Sequence, residues 1–245
     1  MAVLVTRPHP DDETTAAGLR ARGYEVLQAP MLRFEPVAFH DNMDARYGAV
    51  IVTSANALRG IEPHLKGHRL LELPLLAVGE HTAIAARRAG FTHVIAATGG
   101  AASLRDLILA RVRAKELNKA STLLYLAGAD LAHDLAGELC EHGFRVVTQT
   151  TYKMSPVSSL PYEVCDAFVA NRVEAVLHYS QRSARAFLDA ARAAGVEISA
   201  LAIPQCCISA AVASIVRDAG ATQVTVAASP DENALFEALD RALRP

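Results

Sequence analysis

Along this sequence a short aliphatic run is followed, again and again, by a small polar turn, an alanine-rich helical pattern and a glycine. Val3-Leu4-Val5 leads through Thr6-Arg7-Pro8 to Gly23, and Tyr24 to Leu27 supplies the next run. Ala49 to Val52 leads into Thr53-Ser54-Ala55-Asn56, and Leu75 to Val78 leads through Gly79-Glu80-His81-Thr82 to Gly90. Leu123 to Leu126 is followed by Ala127-Gly128-Ala129-Asp130 and Gly143. Ala175 to Tyr179 precedes Ser180-Gln181-Arg182-Ser183 and Gly195, and Gln205 to Ile208 precedes Ser209-Ala210-Ala211 and Gly220. Runs this short and apolar read as strands, and a helix between successive strands leaves room for parallel pairing. The glycines suit the left-handed residue that ends a helix. The chain is therefore expected to be α/β, with parallel sheets covered by helices on both faces.

The units also recur in order at a longer pitch. The turn at Thr53 matches that at Ser180, the Gly79 turn matches Ser209, and Thr92 to Ala97 matches Thr222 to Ala227. The Thr6 unit pairs with the Gly128 unit. Two copies of one α/β module thus fill the chain, the second beginning near Ser121.

Composition narrows the function classes. Of the 245 residues 51% are hydrophobic, enough for packed cores, and the 20% that are charged interleave along the chain. No apolar run reaches the roughly 18 residues of a membrane span, and the start enters a strand directly, without the features of an export signal. A cytoplasmic protein is expected. The formal net charge of −2 argues against a general nucleic-acid binder. Cys140, Cys165, Cys206 and Cys207 show no CxxC spacing and read as reduced core thiols. The nine histidines form no HxH or HExxH pattern, so no metal site is expected.

Thr6-Arg7-Pro8, Pro30-Met31-Leu32, Thr53 to Ala57, Val78 to Ala83, Leu126-Ala127-Gly128 and Val147 to Tyr152 together resemble the uroporphyrinogen-III synthase family, through essentially the whole chain. The resemblance implies two doubly wound parallel-sheet domains joined by two linker strands, the first domain being discontinuous. Residues 1–35 would join 154–245, with 36–153 as the inserted domain, and Pro36 and Pro156 lie where the crossings are expected. That arrangement agrees with the duplication if the modules exchange their first βαβ parts. The resemblance further implies a monomeric, cofactor-independent lyase acting on hydroxymethylbilane, a linear tetrapyrrole rich in carboxylates.

Strand-to-helix turns present backbone N–H groups at the positive ends of helices, which suit carboxylates. Thr6, Thr53, Ser54, Thr82, Gly128, Ser180, Gln181 and Ser209 are the candidates to hold substrate, although serine and threonine at such places also cap helices, and the two roles coexist. Arg7 is the candidate cation for a carboxylate, or else an ordinary turn arginine. Tyr152 aligns by context with the family's tyrosine near the second crossing. A protonated phenol there would assist departure of the substrate hydroxyl; the plainer reading is an amphipathic linker residue. The chain departs from many relatives in having Ala211 and Val212 after Ser209, and Asp130 and His133 rather than an arginine after Gly128. The alternative function is a noncatalytic or weakly active paralogue that binds tetrapyrroles or other anionic small molecules.

Overall fold

A computed structural model describes residues 1–40 and 45–243. The chain opens with β1 (Ala2–Val5), α1 (Asp11–Ala21), β2 (Glu25–Gln28) and β3 (Leu32–Pro36). It continues through β4 (Tyr47–Val52), α2 (Ala55–Leu65), β5 (Leu75–Ala77), α3 (Glu80–Arg88), β6 (Val94–Ala96) and α4 (Gly100–Arg113). Next come β7 (Thr122–Gly128), α5 (Leu135–Glu141), β8 (Arg145–Pro156), α6 (Tyr162–Val169) and β9 (Val173–His178). The last elements are α7 (Gln181–Ala193), α8 (Glu197–Leu201), β10 (Gln205–Cys207), α9 (Ala210–Asp218), β11 (Val224–Val226) and α10 (Glu232–Leu243). Two compact units result, Met1–Phe34 with Ser155–Pro245, and Glu35–Met154.

The first unit holds a five-stranded sheet in the order β11-β10-β9-β1-β2, and the second a six-stranded sheet in the order β3-β8-β7-β4-β5-β6. Apart from β3 the two orders coincide, with β7 and β8 standing where β1 and β2 stand in the other sheet. The βαβ that begins each module therefore completes the sheet of the other. A shared irregularity marks the correspondence. Ala2 pairs with Val173 and Val3 with Ala175, so β9 carries an extra residue at Glu174. Tyr47 pairs with Thr122 and Ala49 with Leu123, so β4 carries its extra residue at Gly48, the same place in the sheet.

Alternation along the strands loads both faces of each sheet. In the second unit Val50, Val52, Leu124 and Leu126 face the core under α2 and α3. Ala49, Ile51, Leu123 and Tyr125 pack toward Leu104 and Ile108 of α4 and Leu135 and Leu139 of α5. In the first unit the adjacent Cys206 and Cys207 divide between the two cores, and burial pushes both thiols up to about 12, which keeps them protonated and unreactive.

β3 and β8 carry the chain from one unit into the other. They run antiparallel: the partner of Met31 O is Val157 N, and six residues on, Val37 N donates back to Thr151 O. Lys153 Nζ and Glu35 Oε2 pair across them at 2.8 Å. Helix α2 lies so close to β8 that a Cβ at Gly60 would collide with the Thr151 carbonyl. Only glycine permits that approach.

One polar group in the first core is unusual. His178 stands where Val52 stands in the other sheet, fully buried with Phe187 at 5.4 Å. Gln205 Nε2 donates to Ala200 O and Ile203 O, which turns Gln205 Oε1 toward His178 Nε2 at 2.8 Å. The histidine proton therefore sits on Nε2, and Nδ1 has no partner. Burial lowers the imidazole to about 4 from 6.5, against the smaller opposing effect of the Gln205 bond. Because the folded value lies below the unfolded one, this stabilisation is fully present above about pH 6.5 and is lost as pH falls toward 4, by roughly 3 kcal/mol at full protonation. Melting curves from pH 7 to 4 should show this loss in the parent protein and a flatter profile in His178→Leu. Equal slopes in the two proteins would contradict the assignment.

Candidate active site

A cavity of about 300 Å³ opens within the second unit, beyond the C-terminal ends of its central strands. Thr53 and Ser54 follow β4, Val78 follows β5, Gly128 ends β7, and Tyr152 lies on β8 beside it. The chain leaves β4 toward β5 and leaves β7 toward β8 in the opposite direction, so the two adjacent strands part there and leave a crevice.

Local features explain how each side chain arrives. Ser54 is the N-cap of α2, its Oγ accepting from Asn56 N at 3.2 Å. Pairing of β7 with β8 is regular up to Ala127 and Thr150, then resumes at Gly128 and Tyr152, so Thr151 is an extra residue. Its hydroxyl is buried and reaches Ala57 O at 3.0 Å and Ala127 O at 3.3 Å, fastening the bulge to α2 and β7 together. A bulge re-aims the next side chain, and here it lays Tyr152 across Gly128. A Cβ at Gly128 would stand 2.7 Å from Tyr152 Cζ and 2.8 Å from its hydroxyl oxygen.

A second phenol lines the same cavity. Tyr125 on β7 is 2% exposed, and its hydroxyl lies 2.9 Å from Thr53 Oγ1. Burial raises its pKa, the Thr53 hydrogen bond lowers it, and the Tyr152 phenol and Asp134 carboxylate raise it further. Asp130 and His133 complete the polar wall, and Leu135 and Val78 contribute apolar surface. His133 Nε2 and Arg105 Nη1 both reach Glu138, at 2.7 and 3.2 Å.

Thr53, Ser54, Gly128 and Tyr152 are thus brought together, while the other sequence candidates have different surroundings. Thr6 is fully buried and donates to Leu177 O at 2.8 Å, so its hydroxyl is committed inside the first unit. Arg7 is engaged by Glu232 at 2.9 Å and Asp11 at 3.2 Å, and lies 4.8 Å from the centre of the Tyr179 ring. The acid that holds it at the shorter distance lies 225 residues away in the sequence. Thr82 lies on the buried side of α3. Ser180 and Ser209 cap α7 and α9, accepting from Ser183 N at 3.1 Å and Val212 N at 3.4 Å, and exposed Gln181 begins α7. Tyr125 was not singled out from sequence, because a tyrosine inside an apolar strand has the pattern of a core residue. Among the described residues no group of three or more His, Cys, Asp and Glu is placed to hold a metal ion.

The two copies differ at this place. Register puts Tyr179 where Thr53 stands and Val5 where Tyr125 stands. In the first unit Arg7, Tyr179, Thr15 and Glu232 interlock there. Glu232 opens α10, the helix that matches α4, whose first turn brings the much smaller Ala101 to the second unit's cavity. The crevice of one copy is filled by its own side chains, and that of the other is open.

The chain matches the family described as uroporphyrinogen-III synthase HemD over residues 13–237. Its fold is similar to the uroporphyrinogen-III synthetase of Helicobacter pylori, at 18% identity and a TM-score of 0.66 with 99% of each chain covered. It is also similar to a mutant uroporphyrinogen III synthase of Thermus thermophilus, at 18% identity and a TM-score of 0.58, covering 100% of this chain and 99% of the other. No curated protein matches the chain by sequence.

Gly128→Ala is expected to displace the Tyr152 ring while leaving both cores intact. Near-ultraviolet circular dichroism, which tyrosine dominates because the chain has no tryptophan, should change with little loss of melting temperature. An unaltered spectrum would contradict the contact.

Proposed function

The chain belongs to the uroporphyrinogen-III synthase family, and from that premise we propose that its substrate is hydroxymethylbilane and that the cavity beside Gly128 holds the reacting end. The enzyme is a cyclising hydro-lyase. The terminal hydroxyl of the bilane leaves as water, and the resulting azafulvene is attacked by the substituted carbon of the last pyrrole. The spiro intermediate fragments and recombines, so that the ring closes with that pyrrole inverted. The pyrroles supply the electrons. What falls to the protein is to fold the chain, give a proton to the departing oxygen and disfavour closure without inversion.

The observation that carries this reading is the Tyr152 phenol, laid over a glycine at the mouth of a crevice that also presents Thr53 and Ser54. A phenol O–H donates to a leaving hydroxyl, after which the proton released when the closing pyrrole regains aromaticity restores it. Thr53 and the N-terminal turn of α2 suit substrate carboxylates. Ser180, Gln181 and Ser209 occupy the comparable helix N-termini of the first unit and are proposed as further carboxylate contacts. Thr6 and Thr82 are buried, and the Thr6 hydroxyl is already committed to Leu177 O. Arg7 contributes only if a substrate carboxylate replaces Glu232 or Asp11 on its guanidinium. We take residues 1–35 with 154–245, and 36–153, as the working domains of a cytoplasmic monomer that needs no cofactor.

The test is to generate hydroxymethylbilane freshly and resolve the ring isomers. Unaided closure gives the type I ring, so the parent protein should enrich type III. Tyr152→Phe should lower the single-turnover rate of type III formation about 10²-fold, the lower end for a positioned proton donor, with an unchanged melting curve. Type I alone from folded parent protein would refute the reading, and a full rate in Tyr152→Phe would refute the tyrosine's role.

A further inference from the structure

We propose that Tyr125 is a positioning residue for this reaction: its buried phenol donates to Thr53 Oγ1 and turns the threonine's own proton toward the cavity, where it meets a substrate carboxylate. The assignment rests on the tetrapyrrole reading of the cavity.

The direction of the bond follows from relative acidity. A phenol, with a pKa of about 10, is a far stronger acid than an aliphatic alcohol. Between the two, the phenol is the better donor and the alcohol oxygen the better acceptor. Burial raises the Tyr125 pKa still further, so the proton stays on the phenol. Once Thr53 Oγ1 accepts at 2.9 Å, its proton is free to point elsewhere, and Thr53 lines the cavity. A hydroxyl that accepts one bond is polarised into a stronger donor for the next.

Tyr125 is held for this task by its surroundings. Its ring belongs to the core with Ile108, Leu123, Leu135 and Leu139, and its backbone is fixed by pairing with Ile51 on one side and Thr148 on the other. Thr53, by contrast, is the first residue past β4 and only partly buried. The rigid partner orients the more accessible one. Nor does the fold require such a pair. The first unit, built on the same strand order, has Val5 and Tyr179 at these two places, and its tyrosine hydroxyl lies 3.4 Å from Glu232.

Steady-state kinetics with isomer analysis, run beside melting curves, separates positioning from packing. Thr53→Val should raise KM for hydroxymethylbilane about tenfold, the scale of one hydrogen bond to a charged group, with kcat little changed. Tyr125→Phe should raise KM about three- to fivefold in the parent protein, as expected when only the orientation of that donor is lost. In the Thr53→Val background it should add less than about twofold, because its effect passes through Thr53. Thr53→Ser, which keeps the hydroxyl, should restore KM and preserve the sensitivity to Tyr125→Phe. Additive effects of Thr53→Val and Tyr125→Phe, or an unchanged KM in folded Tyr125→Phe, would overturn the assignment. Should Tyr125→Phe not fold, a ring-fluorinated tyrosine placed at 125 supplies a more acidic phenol of nearly the same shape. It should lower KM with Thr53 present and leave it unchanged with valine there, and any other outcome overturns the assignment. A parent protein that forms no type III isomer removes the tetrapyrrole reading and this assignment together, whereas an active parent with additive variants removes this assignment alone.

Discussion

A parallel sheet of this order is stable only when its central pair is made, and in both sheets that pair joins strands from distant stretches of the chain. β1 lies beside β9, where Thr6 Oγ1 donates to a carbonyl 171 residues away. In the other sheet β7 lies beside β4, and the chain reaches it only after completing β5 and β6. The first sheet closes only when β1 and β2 meet strands from the far end of the chain, and the second unit is inserted between them, so the polypeptide crosses from unit to unit twice, along β3 and β8. Tyr152 sits near the second crossing. Its placement follows from that exchange: β8 must pair with β7, pass under α2 where Gly60 allows it, and bulge at Thr151 before leaving.

The repeated strand order gives two crevices of the same construction, and their side chains differ. In the first unit an arginine, a tyrosine and a glutamate meet over the switch point and satisfy one another. In the second, threonine and alanine at the matching places leave room, and the phenol reaches in from β7 and stops at Thr53. Filling with a charged network rigidifies a site, whereas small hydroxylated residues leave donors for a guest.

Much of this was legible in the sequence because strands in parallel sheets announce themselves by short apolar runs. The runs at Val3, Ala49, Leu75, Leu123, Ala175 and Gln205 all lie in strands, and Gly23 and Gly195 take φ of +87° and +72° after their helices. Thr53, Ser54, Gly128 and Tyr152 were readable as turn and linker residues of a recognisable family. Long-range pairing was not readable. Nothing near Arg7 in the sequence reports that Glu232 holds it, and nothing near Tyr125 distinguishes a tyrosine that reaches a cavity from one that only fills a core. The short helices α6 and α8, of eight and five residues, also escaped notice, because no glycine follows either of them as Gly143 follows α5. His178 read as part of a strand, and its burial against Gln205 appears only once β9 and β10 are paired.

The central claim is that the open crevice between β4 and β7 is where the tetrapyrrole's reacting end is held. The most direct measurement is a titration of the isotopically labelled protein with the cyclised tetrapyrrole product, following backbone amides residue by residue. Amides of Thr53 to Asn56, Gly128 to His133 and Tyr152 should be among the most strongly shifted, at saturation and with one common affinity. If these signals stay in place while the ligand saturates elsewhere on the protein, the crevice is not the site and the account built on it is wrong.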